Sequence, residues 1–474
     1  MIYPIILAGG AGTRLWPVSR ETYAKQFSLR QNGRSLFQWT LERLSGPGFA
    51  PHVVVAADAF RFIVRDQSQD HEGLRIVVEP SQRNTAPAIL AAARLMLAEH
   101  GDPNAQVLIC PSDHMIPDIT LFQEAVARAS SAADEGKIVV FGVKPDRVET
   151  GYGYLELPAE IDGGGIQSVS RYVEKPEAEI AEQFVNSGRH LWSAGIFLFR
   201  IQDLLDAFDR FQPEVQRAVT AAVAGACRDL DFIRLEKEAF EASPAISIDF
   251  AIMEHADNLA VSPLMGAWSD LGAWDAVWRE SDRDDNGVAT VGHARAHDCK
   301  NTILQSEADG VQVVGIGLEN LAVVATGDAV LVAPLDRAQD VRMAVDDLRI
   351  AGVPQATTFP RCHRPWGWYE TLSLGPRFQV KRIMVRPGGK LSLQSHVHRS
   401  EHWVVVQGAA SVTVGEEAKM LTENESVYVP ANEVHRLENP GHVELHLIEV
   451  QTGAYLGEDD ITRYEDIYSR NVAG

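Results

Sequence analysis

Leu7-Ala8-Gly9-Gly10-Ala11-Gly12-Thr13-Arg14-Leu15 follows directly on the apolar run Ile5-Ile6-Leu7-Ala8. Glycines at the end of a buried strand let the backbone approach a ligand closely and aim successive N–H groups at an anion. Arg14 and Lys25 add cations. A glycine cluster alone reads equally well as a plain tight turn, so the elements around it decide. Downstream, Ser35-Leu36-Phe37-Gln38 has the form of a capping box that opens a helix through Leu44. Further strand-like runs are Val53-Val54-Val55, Ile76-Val77-Val78, Val107-Leu108-Ile109 and Ile138-Val139-Val140-Phe141, separated by helices such as Ala86 to Glu99, with Asn84-Thr85 as its start. Strands alternating with helices predict an α/β, doubly wound sheet.

The chain has 474 residues, a prior of about three domains. From Gly151 the pattern loosens into strands (Arg171-Tyr172-Val173, Ile196-Phe197-Leu198-Phe199) and loops, ending in a helix over Ala273–Ser281. The charged stretch Asp282-Arg283-Asp284-Asp285-Asn286-Gly287 marks an exposed boundary, closing a first domain over 1–286. Short β-rich runs at 311–316 and 321–324 predict a small β linker domain over 287–353. Prolines at 354, 360 and 365 mark a connector, after which short alternating strands (379–385, 401–407, 410–414, 426–429, 445–450) predict a jelly-roll barrel over 354–474.

The formal charge of −22 argues against nucleic acid or an anionic membrane as partner. No apolar run approaches the length of a membrane helix, and Met1-Ile2-Tyr3-Pro4 lacks the basic flank of a secretory signal, so the expected location is cytoplasmic. Cys110, Cys227, Cys299 and Cys362 are scattered without metal or redox spacing and read as reduced structural thiols.

The segment Leu7 to Phe27, with Arg14-Leu15-Trp16-Pro17-Val18-Ser19-Arg20 and Lys25-Gln26-Phe27, resembles the N-terminal signature of sugar-phosphate nucleotidyltransferases, specifically mannose-1-phosphate guanylyltransferases. The resemblance implies that Leu7, Ala8, Gly9, Gly10, Gly12 and Thr13 hold the nucleotide, while Arg14 and Lys25 stabilise phosphate charge as pyrophosphate leaves. Such an in-line displacement needs positioning and positive charge more than a protein nucleophile. Glu79-Pro80-Ser81-Gln82-Arg83-Asn84-Thr85 resembles the family's nucleotide-pocket stretch, implying roles for Glu79, Arg83, Asn84 and Thr85; a helix cap is the plainer reading, and both can hold. Asp113, just after a strand, and Asp270 of Trp268-Ser269-Asp270-Leu271-Gly272 are implied to share Mg2+, which favours hard oxygen ligands. Glu174 and Lys175 are implied to hold the sugar hydroxyls and the phosphate, with Gly153 letting the sugar lie close. Two positions depart from the family: Ala24 replaces proline, and Ser193 replaces an asparagine that would contact the sugar.

The string Gln394-Ser395-His396-Val397-His398-Arg399-Ser400-Glu401-His402 places His396 and His398 on one face of a predicted strand, and Pro430 to Asn439 adds His435. A same-face histidine pair with a nearby carboxylate is a divalent-metal set. The two stretches resemble the cupin motifs, with Asn432 in a usual glycine position, and imply His396, His398, Glu401 and His435 as ligands of a metal such as Zn2+ or Co2+, with His402 the rival of Glu401. From Arg364-Pro365-Trp366-Gly367-Trp368 to Asp459-Asp460-Ile461 the chain resembles the isomerase half of bifunctional type II mannose-6-phosphate isomerase/guanylyltransferases. The implied substrates are GTP, mannose 1-phosphate, mannose 6-phosphate and fructose 6-phosphate; Lys381, Arg382, Lys390 and Arg399 are candidate phosphate holders. Alternatives are a barrel serving only as a binding or homo-oligomerisation module, or a sugar-nucleotide sensor without turnover. Replacement of Ser193 by asparagine is expected to sharpen discrimination against glucose 1-phosphate, measured as the ratio of kcat/KM for the two sugar phosphates.

Overall fold

The computed structural model describes all residues except 11, 161–162, 308–309, 467 and 469–474, so Ala11 of the glycine loop lies outside the described residues. The chain forms two compact units, Met1–Thr357 and Thr358–Gly474.

In the first unit the strand Ile2–Ala8 lies at the centre of a large mixed sheet, parallel to Val53–Ala57 on one side and Gln106–Pro111 on the other. Arg75–Glu79 extends the parallel run beyond Val53–Ala57. The long strand His190–Arg200 runs antiparallel between Gln106–Pro111 and Ile138–Val143, and shifts register between Ser193 and Phe197. The central strands are near-continuous apolar runs because helices cover both sheet faces. Ser35 opens its helix with both capping-box bonds in place. Asn84 accepts from the Thr85 N–H and opens Thr85–His100, whose Ala86, Ala88 and Ala91 to Ala93 are buried. Small side chains allow this helix to pack closely within the core. Three helices, Ala178–Ser187, Ile201–Phe211 and Pro213–Ala224, occupy the region where the sequence suggested strands and loops. Ile201, Leu204, Leu205 and Phe208 form the buried stripe of the second, with the i, i+3, i+4, i+7 spacing of a helix.

Residues after 287 form a parallel ladder: Ala289–Gly292, Ile303–Ser306 and Leu321–Ala325 pair in parallel, and Val330–Pro334 closes it antiparallel. A helix over Val341–Ile350 follows, which the β-rich reading did not anticipate because only Val341 and Val345 are buried on it. The ladder shares one hydrophobic core with the segment after the glycine loop, in which Leu15, Trp16 and Trp274 pack with Ile303, Ala322 and Val345. Polar contacts reinforce the join. Arg20, fully buried, makes a two-point pair with Asp328 at 2.6 and 2.7 Å. The Trp16 indole donates to the Gln355 carbonyl at 2.8 Å, and the Trp274 indole to the Trp16 carbonyl at 2.9 Å.

The second unit is a two-sheet jelly roll. One sheet holds Arg361–Arg364, Gly367–Gly375, Phe378–Val385, Leu445–Gly453, Arg399–Gln407 and Ser426–Val429; the other holds Glu417–Leu421, Ala410–Val414, His435–Glu438, Leu393–His396 and Ile461–Glu465. Trp366, Val385, Trp403, Val412 and Leu437 fill the space between them. Asn432 has φ 67°, the left-handed backbone that asparagine tolerates better than most residues.

Removing the carboxylate that faces a buried guanidinium takes away the two-point counter-ion of that charge. Asp328→Ala is expected to destabilise the first unit by about 3 kcal/mol, measured by urea unfolding monitored on tryptophan fluorescence.

Candidate active sites

Gly12 turns the chain with φ 62°, and a Cβ there would lie 2.8 Å from Lys25 Cγ. Glycine is therefore required for Lys25 to lie across the loop. Lys25 opens the short helix Lys25–Ser28 and is almost fully buried. Its ammonium meets Asp113 Oδ2 at 3.0 Å and donates to the Asp270 backbone carbonyl at 2.5 Å. A backbone bridge between Met115 and Ser269 brings those two segments together. Burial raises the Asp113 pKa, but the Lys25 and His114 charges outweigh it and hold the carboxyl below its ordinary value. The Asp270 carboxylate accepts from the Tyr152 hydroxyl at 2.6 Å and the Gly272 N–H at 3.1 Å. Lys25 thus ties the Asp113 carboxylate to the backbone of Asp270, and carboxylates are the hard oxygen donors that suit a divalent cation such as Mg2+.

The loop carbonyls are also held: Gln26 donates to the Gly10 carbonyl at 3.1 Å, and the Ser112 hydroxyl to that of Leu7 at 2.7 Å. Thr13 is half-buried and Arg14 exposed, with a guanidinium N–H donating to Gln339 Oε1 at 2.8 Å. Glu79 ends its strand with its carboxylate beside Gly9, and burial pushes its pKa up to about 7. Arg83 and Asn84 follow on the same loop, and the Thr85 hydroxyl accepts from the Ile248 N–H at 2.9 Å.

A cavity of about 230 Å³ adjoins this mouth, with Gly153, Glu174, Ser193 and Asp270 in its wall. Gly153 pairs with Glu174 across two antiparallel strands, and a Cβ on it would lie 2.3 Å from the Tyr172 hydroxyl oxygen. Lys175, with φ 46°, donates to Glu174 Oε1 at 2.7 Å. The Tyr172 hydroxyl donates to Asp249 at 2.7 Å and lies 3.2 Å from Glu174 Oε2. Burial, then the Asp249 charge, raise the Glu174 pKa. The Ser193 hydroxyl accepts from the Gly195 N–H at 3.3 Å. Tyr172 and Asp249 were not picked out from the sequence. The only signal was an acidic residue at 249 amid the apolar run of Ile246, Ile248, Phe250, Ala251 and Ile252.

In the second unit His396, Glu401 and His435 are all within 2% of full burial, and one ligand atom from each lies within 4.8 Å of the others. His396 Nε2 is 3.1 Å and His435 Nε2 3.8 Å from the Glu401 carboxylate. His435 Nδ1 contacts the Glu433 carbonyl at 2.9 Å, which assigns the proton to Nδ1 and leaves Nε2 a free lone pair. Buried Nε2 atoms of both histidines without a hydrogen-bond partner, facing one carboxylate, fit a divalent transition metal. Burial raises the Glu401 pKa, yet His396, His435 and Arg399 bring it well below the usual carboxylate range. His398 does not join the cluster. The strand ends at His396, the N–H groups of Val397 and His398 donate to the Asp460 carboxylate, and the His398 side chain is exposed. Strand alternation turns Glu401 inward and His402 outward. Lys381 and Arg399 line the adjacent cavity, whereas Lys390 pairs with Glu438 at 2.9 Å and Arg382 lies over the Trp368 ring.

Residues 3–287 match the nucleotidyl transferase family, 296–348 the mannose-phosphate isomerase/GMP-like beta-helix domain, and 352–466 the mannose-6-phosphate isomerase C-terminal family. The fold and sites thus define a nucleotidyltransferase carrying a cupin-type isomerase domain. The chain is 47% identical over 473 residues, 99% of both chains, to xanthan biosynthesis protein XanB of Xanthomonas campestris pv. campestris (strain B100). It is 42% identical over 475 residues, 99% of this chain and 98% of the other, to mannose-1-phosphate guanylyltransferase ManC of Salmonella typhimurium (strain LT2). A solved structure titled mannose-1-phosphate geranyltransferase, from Thermus thermophilus, superposes with a TM-score of 0.63 at 31% identity, covering 73% of this chain and 99% of that one. The chain belongs to the family of bifunctional type II mannose-1-phosphate guanylyltransferase/mannose-6-phosphate isomerases. Enzymes of these two families act on small molecules and generally use metal ions. Among the described residues no helix is long and apolar enough to cross a membrane.

Glu79 carries a pH signature. An acid raised from 4.5 to about 7 in the folded state keeps its proton there while the unfolded chain releases it, so stability falls as pH rises through that window. Relative to Glu79→Gln, the native chain is expected to lose about 3 kcal/mol between pH 4.5 and 7, by urea unfolding at each pH.

Proposed function

We propose that the first unit makes GDP-mannose from GTP and mannose 1-phosphate, releasing pyrophosphate, and that the second interconverts fructose 6-phosphate and mannose 6-phosphate. The observation that carries the first reading is Lys25, whose ammonium bridges the Asp113 carboxylate and the backbone carbonyl of Asp270, a residue in the wall of the cavity that holds Glu174. A phosphate oxygen of mannose 1-phosphate attacks the α-phosphorus of GTP in line, and the pyrophosphate oxygen leaves opposite. The backbone of Leu7, Ala8, Gly9, Gly10, Gly12 and Thr13, with Glu79, Arg83, Asn84 and Thr85, binds the nucleotide. Lys25 and Arg14 neutralise charge gathering on the phosphates. Glu174 orients the sugar hydroxyls, Lys175 holds its phosphate, and Gly153 and Ser193 shape the wall. Asp113 and Asp270 would hold Mg2+, which supplies charge neutralisation on the triphosphate.

In the barrel His396, Glu401 and His435 would hold a divalent transition metal such as Zn2+ or Co2+, which supplies polarisation of the sugar carbonyl. Arg399 fixes the Glu401 carboxylate at 3.3 Å, and Lys381 and Arg399 offer positive charge for the substrate phosphate. Neither site moves phosphate from O6 to O1, so a separate mutase joins the two reactions. We assign transfer to 1–286, with 287–353 as a β linker and isomerisation to 354–474. Sugar phosphates and GTP are cytoplasmic metabolites, which supports a cytoplasmic location, and the product feeds polysaccharide synthesis.

Lys175→Ala is expected to abolish use of mannose 1-phosphate while leaving isomerisation intact, and His396→Ala to do the reverse, read by coupled assays for pyrophosphate and mannose 6-phosphate. Chelation should stop isomerisation, and re-added divalent metal should restore it. Isomerase turnover that chelator leaves untouched, or loss of both activities from either folded variant, would overturn the two-site reading.

A further inference from the structure

The ladder segment does more than extend the fold. Arg14 is an exposed side chain on the single turn Thr13–Leu15, beside a glycine with φ 62°, and such a position leaves a long side chain free to wander. Its guanidinium is nevertheless held at 2.8 Å by Gln339 Oε1, from a residue 325 positions later. Gln339 lies on the turn Leu335–Asp340, whose Leu335 and Ala338 are buried in the same core as Leu15 and Trp16. Core packing thus sets the position of the amide oxygen relative to the loop. Arg20–Asp328 and Trp16–Gln355 fasten the same stretch to the same segment. Arg14 and Gln339 line one small cavity with Tyr152 and Asp270, the latter an expected metal ligand.

We propose that Gln339 is a positioning residue for guanylyl transfer, holding Arg14 so that its remaining N–H donors face the phosphates; this rests on the reading of Arg14 given above. The chemistry of the amide fits the task. A neutral carbonyl oxygen orients one N–H of the planar fork without cancelling its charge, whereas a carboxylate would capture the guanidinium in a two-point ion pair and compete with phosphate for it.

The test uses the full chain, with Gln339→Ala, Gln339→Glu, Arg14→Ala and the double variant Arg14→Ala/Gln339→Ala. Each is assayed for kcat and KM of pyrophosphate release and, as a control on the same sample, for isomerase turnover and thermal midpoint. The expected result is a fall in kcat of about tenfold or more for Gln339→Ala, with KM for mannose 1-phosphate within about twofold and isomerase rate and midpoint unchanged. Gln339→Glu should fall further, and the double variant should be no worse than Arg14→Ala alone, since both changes remove one function. Gln339 variants within about twofold of the native chain while Arg14→Ala is impaired would overturn the positioning role alone. Multiplying effects in the double variant, or a parallel loss of thermal midpoint, would overturn it too. A fully active Arg14→Ala would instead overturn the reading of Arg14 on which the proposal stands.

Discussion

The ammonium of Lys25 is the contact around which the transferase half is organised. It lies between the Asp113 carboxylate and the Asp270 carbonyl, two groups 157 positions apart in the chain, and it reaches them only because Gly12 has no side chain. The rest of the sheet domain can be understood as what holds those three backbones. Parallel pairing of Ile2–Ala8 with Gln106–Pro111 sets the glycine loop beside Asp113, and the Met115–Ser269 bridge carries Asp270 to the same edge. The site therefore opens at the carboxyl ends of parallel strands, where the doubly wound architecture leaves a crevice.

The barrel solves a similar problem with the opposite material. Its site is buried rather than open at a loop, and a single carboxylate, Glu401, is approached by His396, His435 and Arg399 while accepting from the Trp403 indole and the Gln451 amide. A buried anion with this many donors is rigid, and rigidity is what a ligand set needs. Glu449, bonded to the same indole and amide, has its pKa raised by burial and by the Glu401 charge beside it.

The local frame of both sites is partly legible in the sequence. The glycine loop, the capping box at Ser35 and the strand-end position of Asp113 follow from local rules of backbone freedom and capping, which act over a few residues, while strand alternation put Glu401 and His402 on opposite faces without saying which turns inward. The same rules misplaced His398, because alternation holds only while the strand lasts and this one stops at His396. They also passed over the helices between Ala178 and Ala224 and the helix Val341–Ile350: Ala178–Ser187 buries only Ala181 and Val341–Ile350 only Val341 and Val345, whereas the stripe of Ile201–Phe211 carries helical spacing that the strand reading of its neighbours overlooked.

What the sequence determined by itself was therefore local: which segments are strands, where glycine is obligatory, and which carboxylates and histidines are candidates. Only the tertiary structure decided which of them meet. Tyr172 beside Asp249, Arg20 on Asp328 and Arg14 on Gln339 are contacts between residues 77, 308 and 325 positions apart, and no periodicity reports on such pairs. They exist because a shared hydrophobic core brings distant backbones into register, and packing of that kind is a property of the whole fold rather than of any stretch of it.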